Sequence, residues 1–80
     1  MVEHKLDNIT ITFTKSCFVL TETNTRANVF HRTSIHGIHY GNYHIYVNGN
    51  NILVTKHASS IYNLILDWLK EEHHVESIFE

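Results

Sequence analysis

The stretch from Tyr43 to Val54, Tyr-His-Ile-Tyr-Val-Asn-Gly-Asn-Asn-Ile-Leu-Val, constrains this chain more than any other. Tyr43, Ile45 and Val47 alternate with His44, Tyr46 and Asn48, the period-two pattern of a half-buried strand rich in β-branched and aromatic residues. Ile52 and Val54 continue the pattern beyond the turn. Asn48-Gly49 suits a type I′ turn, in which both central residues need positive φ. That turn sets Ile45 opposite Ile52 and Tyr43 opposite Val54. A type II′ turn at Gly49-Asn50 would instead pair Val47 with Ile52 and Ile45 with Val54. Either register keeps the same residues on the core face, because side chains alternate with a period of two. His44, Tyr46 and Leu53 share the other face, which is too apolar to be simply solvated and reads as partly covered or as a binding surface.

The second firm feature is a helix. Ile61, Leu64, Ile65, Trp68 and Leu69 recur at helical spacing and form one apolar stripe. Ser59 or Ser60 stands where an N-cap hydroxyl belongs. Val75 and Phe79 could extend the stripe, but no strong helix former follows Glu72. The sequence therefore favours a break near His73-His74, with Ser77-Ile78-Phe79 as a docking tail.

Before the hairpin, Ile9, Ile11 and Phe13 alternate with Thr10, Thr12 and Thr14 as a strand with a threonine face outward. Residues 1–8 read as polar and frayed. Lys15-Ser16 reads as a turn, Cys17 to Thr23 as a second strand, and Thr23 to Asn28 as a polar loop. Val29 to Ile35 reads as a strand, and His36 to Gly41 as a strand broken at Gly37. The expected architecture is α+β: a small antiparallel, meander-like sheet of four to five strands, with one C-terminal amphipathic helix packed on one face.

Eighty residues are expected to form a single compact domain, 1–80, that buries only about 60–65% of its unfolded surface. A hydrophobic fraction of 42% is ordinary for a globular chain, and a net charge of −2 gives no basic field for nucleic acid. One cysteine, Cys17, excludes an internal disulfide framework and a four-cysteine zinc site. Neither a signal-peptide pattern nor an apolar run near the ~20 residues of a membrane span is present, so no membrane association and a cytoplasmic location are expected. Eight histidines are far more than an average composition supplies, and histidine is the side chain whose ordinary titration range spans mild acidity.

His31, His36, His39 and His44 invite a metal reading. No two of them have the spacing that sets ligands on one strand face, and no carboxylate lies between Arg26 and Asp67. No metal and no cofactor is expected. Enzymatic activity is not expected either, since Cys17 stands in an apolar strand as a core residue and Ser34 and Ser59 lack a strained nucleophile turn. Tyr40, Tyr43 and Tyr46 with Arg32 and Lys56 could stack single-stranded nucleic acid, and this is the runner-up reading. The preferred reading is a non-enzymatic protein-binding module, because tyrosine, arginine and histidine supply rigid, amphipathic contact area. The residues expected to carry binding are Arg32, His36, His39, Tyr40, His44 and Tyr46. A homodimer could form through the hairpin edge or through Tyr62 and Leu66. In size and style, though in no residue motif, the chain resembles phage-encoded inhibitors of host defence such as anti-CRISPR proteins. That resemblance implies occlusion of a functional surface on a protein target.

Overall fold

The computed structural model describes the backbone of residues 1–79 and the side chains of residues 1–70. The chain is α+β, and among the described residues seven antiparallel strands in two sheets are followed by one α-helix. Its internal contacts divide into two compact units, Met1–Ser34 and Ile35–Glu80.

The first unit is a four-stranded meander of β1 (Val2–Leu6), β2 (Ile9–Phe13), β3 (Cys17–Glu22) and β4 (Asn28–His31), paired in sequence order. Ile9, Ile11 and Phe13 of β2 and Phe18 and Leu20 of β3 are buried, all on one face, as the alternation with threonine requires. Phe18 stacks on Phe30 with centroids 4.8 Å apart. Residues 2–6 were expected to fray. They form β1 instead, with Leu6 opposite Ile9 across an Asp7-Asn8 turn in which Asp7 has φ 56°. Val2, His4 and Leu6 supply the period-two face, and Asp tolerates the left-handed region that so tight a turn needs. Cys17 is also displaced from expectation. It is half-buried and on the face opposite Phe18, because Phe18 and Leu20 take the inward positions. The strand expected through Ile35 stops at His31, and Arg32–Ser34 form one 3₁₀ turn. The Arg32 amide there donates to the Ser16 carbonyl at 2.8 Å.

The second unit contains β5 (Ile38–Gly41), β6 (His44–Val47), β7 (Asn50–Val54) and α1 (Ala58–Phe79). The helix packs on β5 and β6 through Ile61, Ile65 and Trp68. Asn48 and Gly49 take φ 55° and 82°, the pair of positive values that a type I′ turn needs, and Val47 lies opposite Asn50. The expected register holds only as far as Tyr46 opposite Asn51. Ile45 then pairs with Leu53 and His44 with Val54, leaving Ile52 without a partner of its own in a β-bulge. Ile45, Val47 and Leu53 are buried, while Val54 is exposed. The cause is Asn51, whose side-chain amide donates to the carbonyls of Ile45 and Leu53, both at 3.1 Å, and so fills the gap that the bulge opens.

Tyr43 also departs from the strand reading. It lies in a second two-residue turn, with Asn42 at φ 50° and Tyr43 at φ 67°, closing the pair Gly41–His44. The helix starts one residue before the expected Ser caps. The Thr55 hydroxyl accepts the His57 amide at 3.1 Å, the Thr55 carbonyl accepts that of Ala58, and the His57 carbonyl accepts that of Ile61. Thr55 thus holds the first amides of the helix, and Ser59 and Ser60 lie within its first turn rather than at its cap. The break expected near His73-His74 is absent from the backbone, and α1 runs to Phe79. No proline or glycine interrupts that segment, and Glu71, Glu72 and Glu76 have good helix propensity. Packing of Val75 and Phe79 lies outside the described side chains.

Candidate functional site

Three of the expected binding residues lie on the sheet face turned away from α1. His39 on β5 is paired with Tyr46 on β6, and their rings stack with centroids 4.6 Å apart and planes 13° apart. The His44 ring lies 6.0 Å from Tyr46 at 25°. His39 is exposed, whereas Tyr46 and His44 are half-buried. The His44 Nδ1 is buried and, among the described residues, has no hydrogen-bond partner. The expected surface on this face therefore consists of one exposed imidazole backed by a row of rings.

Tyr40 takes the other face. Alternation along β5 sets it beside α1, where its ring meets that of Tyr62 at 4.8 Å and 47°. Tyr62, expected as part of a dimer face, is thus in contact with Tyr40 of its own chain. Tyr40 and Tyr43 are nevertheless 47% and 64% exposed. Together with Asn42, Lys56, Ala58 and Ser59 they line an open hollow of about 470 Å³. Among the described residues, its lining includes the Lys56 ammonium and no carboxylate, and the first turn of α1 contains no acidic residue. Asn42 and Ser59 lie outside both expected surfaces, and Tyr43 and Lys56 belong only to the expected nucleic-acid surface. The signal that points to them is Asn42, a residue suited to positive φ, at the spacing of a hairpin turn before Asn48.

The remaining expected residues lie elsewhere. The His36 amide donates to the Asn48 side-chain oxygen at 2.7 Å, so its backbone braces the Asn48-Gly49 turn while its side chain is exposed. Arg32 belongs to the first unit, where its Nε donates to the Lys15 carbonyl at 3.3 Å. Cys17 lies opposite His31 in the β3–β4 ladder, with its Sγ 3.3 Å from the Thr14 hydroxyl. Among the described residues, no group of three His, Cys, Asp or Glu side chains is placed to hold a metal ion, and no helix is long and apolar enough to cross a membrane. Comparison with protein-family models, with curated proteins and with solved structures found no match.

Proposed function

We propose that this chain is a non-enzymatic protein-binding module whose contact surface centres on Tyr40 and Tyr43, and that it occludes a functional surface of its partner in the manner of phage or mobile-element inhibitors of host defence. The observation that carries this reading is the backbone of Tyr43. At φ 67° a bulky side chain is strained by about 1–2 kcal/mol, and glycine would relieve the strain. The neighbouring hairpin uses glycine at the equivalent position, Gly49. Tyr43 presents a ring that is mostly in solvent, so its burial does not offset the strain. Strain of this kind at an exposed aromatic is the signature of a residue kept for recognition.

A second reading, single-stranded nucleic acid stacked against His39 and Tyr46, draws on the parallel rings of that pair. It is the weaker one, because Lys56 is the only lysine or arginine between Ile35 and Leu69. Capture from host lysate with the tagged full chain, with and without nuclease, separates the two. The expected result is a stoichiometric protein that survives nuclease and is lost with Tyr43→Gly, a variant that keeps the wild-type circular dichroism spectrum. Recovery that collapses with nuclease would favour the second reading. Undiminished capture by Tyr43→Gly would remove Tyr43 from the surface.

A further inference from the structure

We infer that the outer edge of β1 pairs with the same edge of a second copy of this chain, joining two four-stranded meanders into one antiparallel sheet about a two-fold axis at His4. The edge itself is the first reason. Among the described residues, β1 stands at the end of its sheet and pairs with β2 alone. The Leu6–Ile9 pair closes a two-residue turn, and alternation along the ladder directs the backbone groups of Leu6, His4 and Val2 toward β2. Those of Glu3 and Lys5 therefore face outward, where an incoming strand can bond to them. The β1–β2 ladder keeps one register throughout with no bulge. The edge strand β7, in contrast, is interrupted at Ile52, and β4 stops after four residues at a 3₁₀ turn.

Charge in register is the second reason. Only Glu3 and Lys5 turn backbone groups outward, so the antiparallel alignments that keep the bonding phase and most of the overlap are Glu3 opposite Glu3, Lys5 opposite Lys5, and Glu3 opposite Lys5. The first two set like charges directly across from each other, which destabilises a strand pair. The last sets Glu3 opposite Lys5 of the second copy and, by symmetry, Lys5 opposite its Glu3, so both bonded pairs carry opposite charges. Glu3 and Lys5 are exposed, and their own neighbours across the ladder are the uncharged Thr12 and Thr10. On the other face the same alignment brings Val2, 56% exposed, beside Leu6 of the second copy. A lone lysine on an edge keeps other strands away, whereas a glutamate two residues before it makes this edge complementary to itself. So short an edge buries less than a standard interface, and the dimer should be weak, with Kd on the order of 100 μM.

Sedimentation velocity of the full chain up to about 1 mM should show a monomer–dimer equilibrium. Glu3→Lys and Lys5→Glu should each raise Kd about tenfold, because each sets like charges opposite one another at both bonded pairs. An equimolar mixture of these two variants should form a heterodimer as tight as the wild-type dimer, and the double variant should dimerise with itself. Either rescue excludes a folding defect as the cause of the loss. In a Cys17→Ser background, His4→Cys should cross-link on oxidation, since residues facing each other on the axis have Cα atoms about 4.5 Å apart. Glu3→Cys and Lys5→Cys, each alone, should not cross-link. A chain that stays monomeric, a dimer indifferent to both charge variants, or cross-linking through Glu3→Cys or Lys5→Cys would overturn the inference. Fibres in place of a closed pair would overturn it as well, because they require head-to-tail contact between different edges.

Discussion

Two residues of the second unit hold conformations or environments that folding does not favour, and each makes a separate prediction. Tyr43 sits in the left-handed region at a cost of about 1–2 kcal/mol, while glycine there would lose about 0.5–1 kcal/mol through its freer unfolded chain. Tyr43→Gly should therefore raise unfolding free energy by roughly 0.5–1 kcal/mol in urea titrations while weakening partner capture. A loss of stability would mean that the ring packs against the hollow as a structural element. Among the described residues His44 has a buried Nδ1 with no partner, and an unmet polar atom of that kind costs about 1–3 kcal/mol. Phenylalanine keeps a flat ring and removes the nitrogen, so His44→Phe should unfold at a higher urea midpoint than the wild type. A lower midpoint would show that the nitrogen is satisfied in solution.

At the scale of elements, the β6–β7 hairpin depends on one side chain. Asn51 bonds to the carbonyls of both Ile45 and Leu53, and this holds Ile52 out of register. Asn51→Ala should cost about 1–2 kcal/mol and allow part of the population to adopt the unbulged pairing of Ile45 with Ile52. Nuclear Overhauser contacts between Ile45 and Ile52 backbone protons would report that form. An unchanged pattern and midpoint would mean that packing of Leu53 alone sets the bulge. The bulge is also where the structure departs from the register that the alternation predicts. The Asn48-Gly49 turn was legible because its φ demand is written in two residues. The bulge was not, because an asparagine at position 51 looks like any polar strand residue until its amide is seen between two carbonyls. The helix stripe of Ile61, Ile65 and Trp68 was legible for the opposite reason, since its periodicity is repeated over several turns.

Across the whole molecule, local patterning identified strands better than it grouped them. β2, β3, β6 and β7 followed from alternation and turn residues. That the strands divide into meanders of four and three depends on the tight turns at Asp7-Asn8 and Asn42-Tyr43, where ordinary side chains stand at positive φ and carry little signal. The same blind spot hid the hollow, because Tyr43 read as a core strand residue while His39, His44 and Tyr46 were recognised only as a type. Charge, in contrast, can be read directly from composition, and it sets the last prediction. A surface with a single lysine among residues 35–69 should engage its partner with a shallow salt dependence. Raising salt from about 50 mM to about 200 mM should weaken capture only a few fold, whereas neutralising ~6–10 phosphates would weaken it by about 10³–10⁵. Affinity of the purified chain for its captured partner, measured by titration calorimetry across that range, checks it. A loss of several orders of magnitude would require a polyanion bound by cations from outside this surface, and would favour the nucleic-acid reading over the protein-binding one.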